Sequence, residues 1–424
     1  MRLNGIIKSF FSLSALTMLS RISGFVKVAA IAAFYGRSVE ADMLIAVMVL
    51  PDLVYKFLSE GLVSGAAVPV FVNCRESRTE THKAFWSIFW ITTIICSIVS
   101  IILILGTKEF CCLLMPELGV TNEAVIHFMW LMLVPYLSLG FMGGVLTSLL
   151  NARQSFGMPA VGPLIVNIAI IIGTFIAAGN DVRIIAVANT VGALLQLIWL
   201  LWLAYRDEFL EKGFRKCWIL DKALAGDFIK ASAPIMAWIS ILPFIPVYER
   251  RLLSPYPGAI ATFNYTEKLF NLPLGVVSIS LAHVVLPNLS LLEGKERHSF
   301  LNKSLGMATL VILPIILVIW SGAGYIVEIV FKRGKFTMDD VSVAASLFRV
   351  YILALLPVSL NMVLNRGFFA AGNYRIPFVA GLVSALVQFY ICFKAVPAYG
   401  MQGVAYAAIT AATLQLIILF AKSK

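Results

Sequence analysis

Long apolar runs recur from one end of this sequence to the other, parted by short clusters of charge, glycine and proline. Runs of about 18 residues or more match the hydrocarbon thickness of a bilayer at the helical rise per residue. They predict twelve membrane-spanning helices, at about 10–34, 41–72, 84–105, 124–150, 160–178, 184–205, 226–253, 258–290, 304–321, 338–371, 376–393 and 400–421. The second, eighth and tenth are longer than one crossing, so they are expected to tilt, kink or run past the bilayer surface. Pro51 and Pro273 are the expected kink sites. No cleavage site follows 10–34, so the first helix is expected to remain as an anchor.

The largest polar interruption, 206–230, divides the chain into two similar halves. Val68-Pro69 recurs as Leu286-Pro287, Asn151 to Pro159 as Asn365 to Pro377, and Leu195-Gln196-Leu197 as Leu414-Gln415-Leu416. The offsets are 218, 218 and 219 positions, which points to duplication. The expected organisation is a six-helix bundle over 1–206, a cytoplasmic linker over 207–225 and a second six-helix bundle over 226–424. An even number of helices per half makes the halves alike in orientation, related by a pseudo-two-fold axis along the membrane normal.

Composition agrees: 424 residues, 60% hydrophobic, 13% charged and a mean hydropathy of +0.92 exclude a soluble domain. The net charge of +11 suggests nucleic acid, but no soluble basic domain exists to hold it. Placing both termini in the cytoplasm puts eighteen Lys and Arg on the inner side and seven on the outer, as the positive-inside rule requires. The six cysteines fit no disulfide or zinc framework, and the four histidines form no metal motif. A nucleophile elbow and a phosphate-binding glycine loop are both missing, so a transporter is expected rather than an enzyme, with no cofactor.

The remaining eight cations change the picture: Arg21, Lys27, Lys56, Arg250, Arg251, Lys268, Arg349 and Arg366 all lie inside apolar segments. A cation at mid-bilayer costs roughly 3 kcal/mol on insertion scales. Only Glu60, Glu249 and Glu267 lie deep among them, so mutual pairing does not neutralise the set. An interior cavity that holds an anion would account for it. Lysine and arginine suit phosphate or pyrophosphate. The bland alternative is that each cation snorkels to a headgroup, and this is the favoured reading for Arg349 and Arg366. Lys56 and Glu60 are spaced to pair on one helix face. Glu249-Arg250-Arg251 interrupts a helix already broken by Pro243 and Pro246. A carboxylate there would bind a coupling cation or proton, or form a local salt bridge. Asp339-Asp340 is expected to cap the tenth helix.

Several stretches form a further pattern: Ser20-Arg21 with Gly24-Phe25, Leu50-Pro51-Asp52-Leu53 followed by Glu60-Gly61, and Val68-Pro69. Phe263-Asn264-Tyr265, Leu272-Pro273-Leu274-Gly275-Val276, Leu286-Pro287-Asn288-Leu289-Ser290 and Arg333-Gly334-Lys335-Phe336-Thr337 continue it toward the C-terminus. Together these motifs resemble the MurJ/MviN family of the multidrug/oligosaccharidyl-lipid/polysaccharide exporter superfamily. The resemblance implies a MATE-like fold in the bacterial inner membrane. It implies outward flipping of lipid II, the undecaprenyl-pyrophosphate-linked peptidoglycan precursor, by alternating access, beside peptidoglycan-synthesis proteins.

By the same resemblance Arg21, Lys27, Tyr55, Lys56 and Lys268 would meet the substrate, with Lys27, Tyr55 and Lys268 standing where the family has arginine. Asp42 and Glu60 match acidic positions of the second helix, and Glu267 would support the cations. Glu249, Gln388 and Cys392 stand at the family's sodium site, with a thiol where a carboxylate is often found. Coupling to a monovalent cation or to the membrane potential is left open. The alternatives are a flippase for another polyprenyl-linked glycan, a MATE-type multidrug/cation antiporter, or a membrane enzyme or scaffold acting on lipid-linked sugars. The antiporter would want an acidic, aromatic cavity and the enzyme a clustered acid/base or metal site. Family members typically carry fourteen spans, against the twelve expected here.

Overall fold

The structure is a computed structural model describing residues 3–58, 67–74, 77–116, 122–153, 155, 157–206, 221, 226, 228, 244–279, 285, 289, 291–292 and 294–423. Among these residues there are helices and turns but no strand. Nine helical stretches are long and apolar enough to cross a bilayer. They correspond to nine of the twelve expected spans. The second, seventh and eighth expected spans run into residues outside those described, and they also hold the buried charges.

The chain divides into two compact units. The first comprises Met1–Phe34 and Met43–Pro243, the second Tyr35–Asp42 and Phe244–Lys424. The short segment between the first two helices therefore belongs with the C-terminal part of the chain.

In the first unit the helices are α1 (Leu3–Tyr35, continuing into the second unit at its last residue), α2 (Val39–Leu58, likewise beginning there), α3 (Val68–Asn73), α4 (Arg78–Leu105), α5 (Thr107–Leu114), α6 (Glu123–Ala152), α7 (Gly162–Ala177) and α8 (Arg183–Arg206). Ser77 starts α4 by accepting the Glu80 N–H at 3.2 Å, which satisfies a donor that no helical carbonyl reaches. α4 packs on α6, and α6 and α7 pack on α8. Small residues permit the α7–α8 contact: a Cβ at Gly173 would collide with the Ala188 Cβ. The core holds Phe71, Phe85, Ile88, Phe141, Leu146 and Leu200. Trp130 is buried and donates its indole N–H to the Leu103 carbonyl at 2.7 Å.

In the second unit the helices are α9 (Phe244–Leu253), α10 (Ala259–Pro273), α11 (Gly294–Phe331), α12 (Met338–Tyr351), α13 (Leu355–Ala370), α14 (Arg375–Tyr399) and α15 (Gln402–Ser423). α9 and α10 are the described parts of the seventh and eighth expected spans. At Pro273 the regular helix gives way to a π-helical turn, Leu274–Ile279, as expected where a ring replaces the N–H. The expected cap of the tenth span is present: Thr337 and Asp340 form a reciprocal capping box at the start of α12. α14 and α15 pack closely, α11 and α15 flank α13, and α10 lies on α12.

Candidate substrate and coupling sites

α10 has two faces of opposite character. Thr262, Phe263, Tyr265, Thr266, Leu269 and Phe270 are buried within the second unit. The other face carries Asn264, Glu267, Lys268 and Asn271, of which Lys268 and Asn271 are exposed and the other two half-buried. Those spacings of three and four place the four side chains on one helical stripe. A polar stripe on a helix at membrane depth is stable against water or a polar ligand, not against lipid. Asn264 and Asn271 were missed by the sequence reading, although the i, i+3, i+4, i+7 pattern was there to find.

Glu267 does not lie beside Lys268 as a counter-ion. Its Oε2 accepts from Arg250 Nη2 at 3.1 Å, and Arg250 also donates to the Pro246 carbonyl at 3.1 Å. The Arg250 guanidinium lies over the Phe263 ring, 5.9 Å from its centroid. Arg250 is thus buried and paired, while Lys268 keeps its charge on the open face.

Asp42 is fully buried and bonded to backbone. Its oxygens accept from the Gly258 N–H at 2.5 Å and the Ala261 N–H at 2.7 Å, the first N–H groups of α10. Beside it Arg37 donates to Thr262 Oγ1 at 2.7 Å and lies 3.6 Å from Asp340, while Tyr265 donates to the Gly36 carbonyl at 2.9 Å. These contacts secure the Tyr35–Asp42 segment to α10 and α12 within the second unit.

Glu249 and Gln388 come together as the resemblance implied: Gln388 Nε2 donates to Glu249 Oε1 at 2.9 Å. Cys392 is buried one turn further along α14. Tyr248 packs edge-on against Phe389 and fixes α9 on α14. A hard monovalent cation wants a shell of oxygen donors. One carboxylate already engaged by an amide N–H, with a thiol as third member, does not fit such an ion. Among the described residues no group of three His, Cys, Asp or Glu is placed to hold a metal ion.

In the first unit Arg21 is exposed on α1, and Lys27 is half-buried with a polar or electrostatic contact of its own. Between them α1 is held by Asn167 of α7, whose Nδ2 donates to the Ser20 carbonyl at 3.2 Å and to Ser23 Oγ at 3.0 Å. Gly24 makes room, since a Cβ there would meet Asn167 at 3.5 Å. Tyr55 and Lys56 belong to α2, but their side chains lie outside the described residues, as does Glu60 entirely. Of the three remaining membrane cations, Arg349 is exposed and Arg251 and Arg366 are half-buried.

Nine apolar helices among the described residues, each long enough to cross a bilayer, define a multi-pass helical membrane protein. Solved structures with the same fold include one described as "Lipid II flippase MurJ, inward closed conformation", with a TM-score of 0.84 at 22% identity, covering 97% of this chain and 87% of the other. An inward-facing multidrug resistance MATE family transporter of the MOP superfamily matches with a TM-score of 0.76 at 11% identity. The family model for "Lipid II flippase MurJ" matches residues 31–424, and the chain belongs to that family. A probable lipid II flippase MurJ from Bdellovibrio bacteriovorus is 26% identical over 98% of this chain and 81% of its own length. One from Thermotoga maritima is 25% identical over 90% of this chain and 78% of its own length.

Proposed function

We propose that this chain carries lipid II from the cytoplasmic to the outer leaflet of the bacterial inner membrane, with both termini in the cytoplasm. The observation that carries the reading is the open stripe of α10. There Lys268, flanked by Asn264 and Asn271, has no acidic partner among the described residues, and Glu267 is engaged by Arg250. In the same reading Arg21 and Lys27 on α1 and Tyr55 and Lys56 on α2 are the substrate-binding residues that the first unit contributes. A pyrophosphate diester meets such groups through charge-assisted hydrogen bonds. Lysine offers point charges where arginine would clamp in two places, which favours release over tenacity.

Transport proceeds by alternating access, with 207–225 joining the two halves and Asp42, Glu60 and Glu267 as the supporting acids. No step is routed through sodium, because the Glu249–Gln388–Cys392 donors do not suit it. An anion moving outward is instead assisted by an inside-negative potential, about 2.3 kcal/mol per charge per 100 mV. The protein partners in this reading are the peptidoglycan-synthesis proteins that make and consume the substrate. The test is to express the chain in bacteria depleted of their own lipid II flippase, beside Arg21→Ala and Lys268→Ala variants of equal abundance. Rescue by the parent chain and not by the variants supports the proposal. Failure of the stably inserted parent chain overturns it.

A further inference from the structure

We propose that the second unit holds one anionic phospholipid of the surrounding membrane in a side groove formed by α11, α13 and α15, as a bound component distinct from the transported lipid. The inference requires only that the chain span a membrane. The groove has a volume of about 570 Å³ and is lined by Leu305, Gly306, Thr309, Leu364, Ile417 and Phe420 among others. The one hydroxyl there, Thr309 Oγ1, is already used, donating to the Leu305 carbonyl at 2.9 Å. The nearby amide of Asn361 is turned inward, donating to the Ala412 carbonyl at 2.8 Å. The groove therefore offers mainly hydrocarbon, with its one hydroxyl proton already used, which suits an acyl chain.

It is open to the bilayer, since Ile417 is 59% and Phe420 45% exposed. Gly306 forms part of its floor, and a Cβ built there meets nothing within 4 Å. Space beside a glycine in a spanning helix is filled by lipid or by another protein surface.

Charge at one end selects the occupant. A Cβ at Gly367 would meet Leu301 at 3.0 Å, and Asn361 bonds to the carbonyl of Ala412, so α11, α13 and α15 are in fixed register. In that register Lys303, Arg366 and Lys422 all lie at the same end of the three helices. Lys303 and Lys422 are exposed, Lys303 shares a face with Gly306, and Lys422 follows Ala421 of the groove wall. Arg375, at the start of α14, is exposed at that end as well, against the single acid Glu296 among the described residues of these helix ends. Hydrocarbon walls ending in clustered cations fit an anionic headgroup with its acyl chains.

The test uses the full chain in phosphatidylcholine nanodiscs doped with spin-labelled phosphatidylglycerol or, separately, spin-labelled phosphatidylcholine of the same chain length. The motionally restricted fraction is read for each. The expected result is a restricted phosphatidylglycerol population that excess unlabelled phosphatidylglycerol displaces. Lys303→Gln and Lys422→Gln should each weaken retention roughly five-fold. Gly306→Phe should remove the restricted population by filling the groove, and Gly306→Ala, folded as the parent, should keep most of it. Equal restriction of both lipids overturns the proposal. So does retention in a folded Gly306→Phe variant, displacement by a polyprenyl phosphate but not by phosphatidylglycerol, or a dimer that buries Gly306.

Discussion

The Asp42 carboxylate caps α10 from 216 residues before its N-cap Gly258, accepting from the Gly258 N–H at 2.5 Å and the Ala261 N–H at 2.7 Å. α10 has no side-chain cap of its own, so these first N–H groups depend on Asp42. The charge also lies at the positive end of the helix dipole. Asp42→Ala should leave both donors buried without an acceptor, at a cost of about 1–3 kcal/mol each. Asp42→Asn should cost less, since one amide oxygen still accepts. Thermal unfolding of the purified chain, followed by exposure of buried cysteines, would show the midpoint falling in the order parent, Asn, Ala. Equal midpoints would remove the cap from the account of stability.

Gly258 supplies the second half of that arrangement. Its φ is +74°, and a Cβ there would come 2.6 Å from the Arg37 carbonyl oxygen. Gly372 has a similar φ, +71°, but open space around it. Gly372→Ala should cost only the backbone term, on the order of 1 kcal/mol. Gly258→Ala carries that term and must also push the Arg37 backbone away, straining the Arg37 side-chain bond to Thr262. Its unfolding midpoint should fall well below that of Gly372→Ala, and similar midpoints would argue against the close approach.

Arg250 answers two carboxylates, Glu267 at 3.1 Å and its buried neighbour Glu249. Removing one partner of a buried ion pair typically costs 3–5 kcal/mol, because the other charge is left desolvated. Arg250→Met should therefore be strongly destabilising. Glu267→Gln should be mild, since Arg250 keeps the Pro246 carbonyl, the Glu249 charge and a glutamine oxygen. The pair of melting curves tests the asymmetry, and a larger loss in Glu267→Gln would contradict it.

Much of this fold was legible in sequence for a simple reason. A bilayer fixes span length, and hydrocarbon excludes polar side chains, so nine described helices fall where apolar runs predicted them. The Thr337–Asp340 box was legible because a cap is local. The Asp42 contact was not, because the N–H groups it meets carry no side-chain signature and lie more than 200 residues away. The Arg250–Glu267 pair was not legible either, because it joins two helices through residues 17 apart in sequence and no local spacing signals it. The α11–α13–α15 groove is defined by an atom that Gly306 lacks, and its meaning depends on which helices surround it.

Cys111 and Cys112 form a vicinal pair on α5, outside the spanning segments, with unlike surroundings. Cys112 is exposed, whereas burial first, then the nearby Cys112 and Glu123, pushes the Cys111 thiol up to about 11. The thiolate is the reactive form, so at pH 8 only about one Cys111 in a thousand is reactive on that basis. A membrane-impermeant maleimide added to intact cells should label Cys112 at pH 8 and leave Cys111 unmodified. Labelling of a Cys112→Ser variant should appear only as the pH climbs toward 11, because the raised value keeps the thiol protonated below it. Modification only after the membrane is opened would place α5 on the inner side and reverse the proposed orientation.

The stripe on α10 makes the last prediction, which separates charge from packing. Lys268 is exposed, so its replacement should leave the unfolding midpoint within about 0.5 kcal/mol of the parent. Its effect should fall on transport instead. Lys268→Ala removes a charge from the proposed pyrophosphate contact, where a charge-assisted hydrogen bond contributes about 1.5–3 kcal/mol, or roughly 10- to 100-fold. Lys268→Arg keeps the charge and adds a second donor, so it should support growth of flippase-depleted cells but release substrate more slowly. Asn264→Leu and Asn271→Leu keep the charge and strip amides from the stripe, and should give intermediate losses. Growth and lipid II reachable at the outer face, read together for the four variants, distinguish the cases. A folded Lys268→Ala chain with parental transport would show that α10 presents its lysine to a lipid headgroup and not to the substrate.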